Sequence, residues 1–324
     1  MRTLWPMTDL EVRRVGGSGL LVTVLGLGCN NFGRRLDAEG STRVVQAALD
    51  AGVTFFDTAD IYSDGSSEEI LGAALKGRRA DVVLASKFGG PRGPSPYRRG
   101  GSRRWIRMAV EDSLRRLNTD WIDLYQMHFP DESTPIDESL QTLDDLVHEG
   151  KIRYAGCSQF SPLQMTEAEW SARTHGSVRF CSVQHEYSWV RRKAEEAVVP
   201  VCARYDIGLI PFYPLAGGLL TGKYQRGQPA PESTRLGRVP ALGAEMLQEQ
   251  NFDIVDALQR FGVEHSCSIL DIAIGGLAAQ PQVVSVIPGA MSPEQVNANV
   301  RAALWRPSPD ELEELNRITR LARA

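Results

Sequence analysis

The stretch Gly26-Leu-Gly-Cys-Asn-Asn31 follows the first short apolar run of the chain and distinguishes between two kinds of α/β fold. A doubly wound sheet that binds a dinucleotide carries the pattern G-x-G-x-x-G at this turn, where the glycines admit the pyrophosphate and let helix pack on strand. Asn31 stands at the third glycine position, so the pattern is incomplete. The sequence therefore argues against a doubly wound sheet and favours a closed barrel.

Apolar runs recur along the chain at the spacing of one strand plus one helix. The first seven end at Gly28, Asp57, Lys87, His128, Ser158, Gln184 and Phe212, at intervals of 26 to 41 residues. A βα unit takes roughly 30 residues, and an eighth run covers residues 283–289. Eight such units predict a (β/α)8 TIM barrel of the α/β class, formed as a single domain by residues 1–324.

Three segments are additional to this repeat. Residues 12–24 surround a glycine-rich turn, which predicts an N-terminal β-hairpin. After Phe212 comes a Gly- and Pro-rich stretch, residues 214–240, followed by an extra helical pattern at residues 248–261. A long loop at this place is typical of a lid or a binding loop. The chain ends with a predicted helix over residues 309–321.

Helical periodicity fills the spaces between the runs. Apolar residues at positions 136, 140, 143 and 147 form one stripe of a helix, and positions 106, 110, 114 and 117 repeat that stripe. Ser41 and Ser161 are predicted N-caps, and Gly52 and Gly150 stand where helices are expected to end.

Composition limits the classes of partner. The 324 residues are 42% hydrophobic and 23% charged, with a formal net charge of −4, so neither nucleic acid nor an anionic membrane is expected as a partner. The five cysteines form no CxxC pair, which indicates reduced thiols and no metal site. Residues 1–9 contain no secretory signal pattern. We therefore expect a cytoplasmic protein that acts on a small molecule, in an oligomeric state that the sequence does not determine.

Ionisable residues close three consecutive predicted strands. Asp57, Lys87 and His128 lie at these strand ends, and Tyr62 lies on the loop after Asp57. Because catalysis in a barrel is located at the carboxyl ends of the strands, the four side chains are expected to meet in one cleft. The other histidines are predicted to be structural or exposed residues without partners: His148, His175, His185 and His265.

These four residue types suit the reduction of a carbonyl, which needs a hydride on carbon and a proton on oxygen. A tyrosine has an ordinary pKa near 10, and a neighbouring ammonium lowers that pKa by favouring the phenolate. We expect Lys87 to supply this cation, Asp57 to hold it, and His128 to hydrogen-bond the substrate oxygen. Tyr62 is then the predicted general acid and base.

The motifs that carry these residues resemble those of the aldo-keto reductase family, including its potassium-channel beta-subunit branch. The resemblance begins with Asp57-Thr-Ala-x-x-Tyr62, Ser86-Lys87 and Tyr125-x-x-His128. It continues through Gly156-Cys-Ser-Gln-Phe160, Val183-Gln-His-Glu-Tyr187, the stretch from Tyr213 to Tyr224, and Ile287-Pro-Gly-Ala290. The similarity covers nearly the whole chain and implies a catalytic tetrad of Asp57, Tyr62, Lys87 and His128.

The resemblance also implies a nicotinamide dinucleotide site. By the family pattern, Asp57 lies beside the nicotinamide ribose, and Phe212 stacks on the ring. Ser158, Gln159 and Gln184 hold the carboxamide, although the family often has Asn where Gln159 stands. The pyrophosphate positions are matched by Leu215, Gly217, Lys223 and Arg235, and the adenosine end by Gly289, Met291, Gln295 and Asn299.

The identity of the dinucleotide depends on that adenosine end. Relatives that prefer NADPH usually present Lys or Arg to the 2′-phosphate there, whereas this chain has Gly289, Met291 and Gln295. Without a cation, a dianionic phosphate lacks charge-assisted bonds. The family's usage favours NADPH over NADH, while the residues themselves also allow NADH.

Other functions compete with reduction. A cofactor-binding regulatory subunit with little turnover would share the barrel, and an aldolase would use Lys87 as a Schiff-base nucleophile. Residues 217–223 match a phosphate-binding G-x-x-x-x-G-K, but Tyr224 replaces the Ser or Thr that holds magnesium. An arginine cluster predicts either a solvated loop or recruitment of an anionic substrate: Arg98, Arg99, Arg103, Arg104 and Arg107.

Overall fold

The computed structural model describes residues 9–322 and forms a parallel sheet surrounded by helices. The expectation that the N-terminal nine residues carry no secretory signal falls almost wholly on residues 1–8, which lie outside the described part. Seven strands between residues 26 and 212 pair in parallel in their order along the chain. This order rules out a doubly wound sheet, in which the strand order reverses.

The strands lie close to the predicted apolar runs. They are β3 (Gly26–Gly28), β4 (Phe55–Asp57), β5 (Val83–Phe88), β6 (Ile122–Met127), β7 (Ile152–Ser158), β8 (Phe180–Glu186) and β9 (Gly208–Phe212). Most of their side chains are buried, as expected for a parallel sheet covered on both faces.

Helices follow the strands in turn. They are α1 (Ala38–Asp50), α2 (Ser66–Ala74), α3 (Arg103–Leu117), α4 (Ile136–His148), α5 (Pro162–His175) and α6 (Ala194–Tyr205). After β9 come α7 (Arg235–Arg238), α8 (Pro240–Met246), α9 (Glu249–Glu264), α10 (Ile269–Asp271), α11 (Pro293–Leu304) and α12 (Pro309–Leu321). The segment between β9 and α7, residues 213–234, is called the long loop below.

The predicted eighth strand is not a regular strand. Residues 283–289 instead form isolated bridges to both edge strands of the sheet, Val286 with Leu25, Gly289 with Gly28, and Val283 with Leu209. The amide of Val286 donates to the carbonyl oxygen of Val24. Pro288 has no backbone N–H, so it cannot donate the next bond of this ladder. Seven strands and one bridged segment thus replace the eight predicted strands.

Caps and turns were predicted with mixed success. Ser161 begins α5 with a capping box, and Gly52 and Gly150 follow α1 and α4 in the left-handed conformation. The assignment of Ser41 is wrong: α1 begins three residues earlier, and Asp37 caps it by accepting from the amide of Gly40. Either side chain can cap a helix, and only the direction of the incoming chain selects Asp37.

Two further predictions are confirmed outside the sheet. Strand β1 (Val12–Arg14) pairs antiparallel with β2 (Leu21–Thr23) as the N-terminal hairpin. The extra helix is α9, which packs with α12 and the long loop in an apolar cluster separate from that of the barrel. All five cysteines are free thiols. Among residues 9–322, no helix combines the length and apolar character that crossing a membrane requires.

Candidate active site

The carboxyl ends of three adjacent strands bring the four predicted catalytic side chains together. Asp57 is the last residue of β4, Lys87 lies near the end of β5, and His128 directly follows β6. Tyr62 begins a short 3₁₀ turn above β4. Strand pairing sets the register, because Asp57 lies opposite Ala85 and Lys87 lies opposite Gln126.

Lys87 is the centre of this group. Its Nζ lies 2.6 Å from Asp57 Oδ2, donates to the carbonyl oxygen of Thr58 at 2.8 Å, and donates to the Tyr62 hydroxyl oxygen at 3.3 Å. Asp57 and Lys87 are both almost fully buried. The three hydrogen bonds use all three donors of the ammonium, so its position is fixed.

The charge of Lys87 follows from these contacts. Burial lowers its pKa, but the Asp57 carboxylate and Tyr62 outweigh burial, and the pKa of Lys87 is raised above its ordinary value. The amine is therefore protonated at neutral pH. A Schiff-base nucleophile must be a neutral amine, so this environment opposes the aldolase alternative.

The pKa of Tyr62 differs from the expectation. Burial raises this pKa above 10, and although Lys87 acts in the opposite direction, its effect is smaller. The prediction that Lys87 brings the net pKa of Tyr62 down is thus wrong. Burial disfavours the phenolate more strongly than the Lys87 ammonium stabilises it. Tyr62 is therefore a neutral phenol.

His128 completes the group beside Tyr62. The two ring centroids lie 5.8 Å apart in an edge-on arrangement, and Phe129 stacks on the imidazole at 4.5 Å. Burial, followed by the charge of Lys87, lowers the pKa of His128 to about 2. The imidazole is therefore neutral, and its buried Nδ1 has no hydrogen-bond partner among the described residues.

Two amides hold the carboxylate of Asp57. Gln184 Nε2 donates to Asp57 Oδ1 at 2.5 Å, and Gln126 Nε2 donates to the same oxygen at 3.3 Å. Sequence reasoning missed Gln126, although it stands two residues before His128 and must share its strand face. Asp57 takes one N–H of the Gln184 amide, so the carbonyl oxygen and the second N–H are left for a ligand.

A cleft of about 580 Å³ opens above these residues. Every residue predicted to bind the dinucleotide lines it: Asp57, Ser158, Gln159, Gln184, Phe212, Leu215, Gly217, Lys223, Arg235, Gly289, Met291, Gln295 and Asn299. These predicted residues combine several amides, the aromatic ring of Phe212 and the cations Lys223 and Arg235, a set that suits a nicotinamide dinucleotide. Sequence reasoning missed Asn30, Asn31 and Arg35, which also line the cleft.

The long loop forms a close-packed cradle on one side of this cleft. Gly217 and Gly218 both have positive φ, and a Cβ on Gly217 would lie 2.5 Å from Leu236 Cδ2. A Cβ on Gly218 would lie 2.5 Å from Lys223 Nζ, so the ammonium rests directly on that glycine. Both glycines are favoured chiefly by their positive φ, since the atoms that a Cβ would meet are the movable ends of side chains. No helix follows Lys223 directly, as a triphosphate loop would need.

The chain can now be compared with known proteins. A sequence profile of the Aldo/keto reductase family matches residues 24–320, which is most of the chain and includes the whole site. The chain belongs to the aldo/keto reductase family. The family uses nicotinamide cofactors, generally NADPH, so the cleft is that of an oxidoreductase.

Individual aldo/keto reductase relatives span nearly the same length. A probable voltage-gated potassium channel subunit beta from Oryza sativa subsp. japonica is 36% identical over 90% of this chain and 91% of its own. A probable aldo-keto reductase 1 from Glycine max is 32% identical over 95% and 89%, respectively. An L-glyceraldehyde 3-phosphate reductase from Escherichia coli O157:H7 is 32% identical over 91% and 88%.

The arginine cluster near this site divides into two groups. Arg103 and Arg107, at the start of α3, form ion pairs with Asp145 of α4, and Arg107 also pairs with Glu149. Within residues 9–322, the other three members form no ion pair: Arg98, Arg99 and Arg104. The structure thus assigns a helix-pairing role to two of the five arginines.

One group outside the site contains a histidine. His265, at the end of α9, places Nδ1 3.2 Å from Glu311 and Nε2 3.4 Å from Glu314, which agrees with a structural role for this histidine. Together with Glu264, it forms a group of potential ligand atoms within 4.8 Å. Exposed acidic groups commonly cluster without an ion, and this group by itself assigns no metal.

Proposed function

We propose that this aldo/keto reductase transfers hydride reversibly between NAD(P)H and an aldehyde, ketone or sugar carbonyl, with Tyr62 as general acid and base. The observation that carries the proposal is the bond from Lys87 Nζ to the Tyr62 oxygen at 3.3 Å. Because the ammonium donates to this oxygen, the hydroxyl proton of Tyr62 is free to be donated elsewhere.

The neighbouring residues support this role. A neutral phenol is the form that gives a proton to a carbonyl oxygen as negative charge develops there. Lys87 remains charged beside it and stabilises the phenolate that results. Asp57 keeps the ammonium in place, and neutral His128, which lines the cleft, would offer a ring N–H to the substrate oxygen.

The cofactor residues complete the proposal. When bound, the nicotinamide supplies or accepts the hydride. Ser158 and the carbonyl oxygens of Gln159 and Gln184 would orient the carboxamide, while Lys223 and Arg235 would neutralise the pyrophosphate. We propose NADPH over NADH, on the family's general use of NADPH.

The function is tested by Tyr62→Phe, which removes the donated proton and little volume. We expect turnover of a carbonyl panel to fall by about 10²- to 10⁴-fold, while the dissociation constant for NADPH changes by only a few fold. Stopped-flow absorbance at the nicotinamide band and fluorescence titration measure the two quantities. Retained turnover in this variant would exclude Tyr62 as the acid.

Two further variants locate the effect. His128→Ala is expected to reduce turnover and raise KM for the carbonyl more than it weakens cofactor binding, because the imidazole faces the substrate oxygen. If it mainly released cofactor, the placement of His128 would be wrong. Tyr205→Phe, on the last turn of α6, is the matched control and should leave both quantities unchanged.

A second candidate function is a cofactor-binding regulatory subunit. Its support is the 36% identity to the rice protein described as a probable voltage-gated potassium channel subunit beta. The distinguishing result is a wild-type protein that binds NADPH but turns over no carbonyl in either direction. The assembled tetrad, with the charged Lys87 and the neutral His128, favours the enzyme.

We further propose that residues 1–324 form one domain, with residues 283–289 closing the sheet as a (β/α)8 barrel, and that the protein acts in the cytoplasm. The bridges from this segment to both edge strands support closure. Five unpaired thiols support a reducing compartment.

A further inference from the structure

Arg35 lines the cleft together with residues of the long loop. It lies in a tight turn between β3 and α1, where the amides of Arg35 and Leu36 both donate to the carbonyl oxygen of Asn31. The Asn31 side chain in turn lies against Gly289, where a Cβ would stand 3.1 Å from its Nδ2. This turn directs the half-buried side chain of Arg35 into the cavity wall.

The guanidinium of Arg35 has no anionic partner. Within residues 9–322 it forms no ion pair and donates no hydrogen bond, although a guanidinium has five N–H donors. Arg235, which lines the same cleft, also forms no ion pair in this range and donates only to the Tyr213 hydroxyl, at 2.8 Å. Arg226, by contrast, pairs with Asp253 and Asp256.

The two guanidiniums are close enough to repel each other. Burial lowers the pKa of Arg35, and the charges of Arg235, Arg238 and Arg34 lower it further. Four cations thus converge without a carboxylate among them. Such an arrangement is unfavourable unless an anion enters between the charges.

The adenosine end of the cleft offers no such cation. The Gln295 side chain accepts from the amide of Met291 at 2.8 Å, and Ser292 caps α11 by accepting from the amide of Gln295. The first turn of α11 also contains Glu294. The amides of Met291 and Gln295 are therefore already bonded, and an acid stands beside them, so the cations elsewhere in the cleft are the stronger anion ligands: Arg35, Lys223 and Arg235.

We propose that Arg35 and Arg235, which line the same cleft, form an arginine clamp that binds a phosphate group of the dinucleotide between the two guanidiniums. The clamp rests on the proposed function, and it adds Arg35 as a residue that determines cofactor affinity. Two phosphate groups could enter it: the pyrophosphate common to both dinucleotides, or the 2′-phosphate present only in NADPH.

The test measures the dissociation constants of NADPH and NADH by fluorescence titration for wild type, Arg35→Gln and Arg34→Gln. Gln at position 35 keeps a polar side chain but loses the charge. We expect a loss of about 10- to 100-fold in affinity for the clamped dinucleotide, as for a charged hydrogen bond. Arg34 is exposed and does not line the cleft, so Arg34→Gln should change affinity by less than about threefold.

The pattern across the two dinucleotides identifies the phosphate. Equal losses for NADPH and NADH place the pyrophosphate in the clamp, whereas a loss confined to NADPH places the 2′-phosphate there. Arg35→Lys restores the charge without the planar fork and should recover part of the affinity. Arg235→Gln should reduce the affinity for the dinucleotide less in the Arg35→Gln background than in wild type, because both residues would bind the same phosphate group.

The clamp and the oxidoreductase proposal fail in different ways. If wild type binds NADPH and reduces carbonyls while Arg35→Gln binds both dinucleotides as tightly, the clamp is overturned and the function stands. An equal loss in Arg34→Gln would also overturn the clamp, since general charge would then explain the effect. If wild type binds neither dinucleotide, the proposed function fails and the clamp fails with it. Melting temperatures of the variants exclude misfolding as the cause.

Discussion

Asp60 is a buried carboxyl beside the site whose ionised form is unfavourable in the folded protein. Its side chain is almost completely buried, and neither carboxylate oxygen has a hydrogen-bond partner within the described residues. Burial, together with the nearby charge of Glu68, raises the pKa of Asp60 from 3.8 to about 8. The backbone amide of Asp60 donates to the carbonyl oxygen of Lys87 at 3.2 Å, so this buried acid is anchored to the catalytic strand.

This raised pKa predicts how stability depends on pH. Between about pH 4 and pH 8 the native state holds a proton that the unfolded chain releases, so the free energy of unfolding falls as pH rises through this window. Asp60→Asn carries no charge at any pH. It should gain about 1–3 kcal/mol relative to wild type between pH 4 and pH 8.5, measured by urea denaturation.

The control for this prediction is Asp64→Asn. The Asp64 carboxyl is 92% exposed and pairs with Arg92 at 2.6 Å, and a surface pair contributes about 0–1 kcal/mol. Its difference from wild type should not grow from pH 4 to pH 8.5. A pH-independent difference for Asp60→Asn would show that Asp60 is ionised in the native protein.

At the scale of elements, the packing of α2 against α3 depends on a glycine. Gly72 lies within α2, where a Cβ would stand only 2.3 Å from the carbonyl oxygen of Leu117 at the end of α3. Helix α3 ends there with Asn118 in the left-handed conformation. The two helices therefore approach through a glycine, and the contact behind β5 depends on it.

Gly72→Ala should accordingly destabilise the protein, although Ala favours a helix by about 1 kcal/mol over Gly. Overpacking against backbone is expected to reduce the free energy of unfolding by about 1–3 kcal/mol. Ala73→Gly on the exposed face of the same helix is the matched variant, and it should lose about 1 kcal/mol through propensity alone. Thermal denaturation followed by circular dichroism compares them, and a stabilised Gly72→Ala would contradict the packing.

Two apolar clusters organise the whole molecule. One surrounds the parallel sheet, and the other joins the long loop to α9 and α12, with Leu315 of α12 fully buried in it. Leu215 and Leu270 line the cleft and pack at the edges of these clusters. The cleft thus borders both clusters, the one around the sheet and the one that joins the long loop to α9 and α12.

This organisation predicts the response to truncating the second cluster. Leu315→Ala should lower the free energy of unfolding by about 2–5 kcal/mol through lost burial and a cavity, within one cooperative transition if residues 1–324 form one domain. Leu321→Ala, 63% exposed on the same helix, should stay within about 0.5 kcal/mol. Calorimetry resolves one transition from two. A separate early transition in Leu315→Ala would assign α9 and α12 to an independent unit.

The sequence by itself determined which side chains meet at the candidate site, because the carboxyl ends of parallel strands must converge and the acid, cation and imidazole close three successive apolar runs. It also located the hairpin, the extra helix and the C-terminal helix, since their periodicity and turn residues are local. Gln126 could have been found as well, from its place two residues before His128.

Tertiary structure alone decided the electrostatics and the closure. The net pKa of Tyr62 depends on a balance between burial and one ammonium, and no spacing along the chain measures burial. The proposed role of Arg35 also depends on tertiary structure, because Arg35 and Arg235 line one cleft although 200 residues separate them in the sequence. Likewise, residues 283–289 match a strand in composition, but they meet both edge strands only through isolated bridges. Local pattern specifies the elements, whereas solvation and long-range charge arise only after the chain has packed.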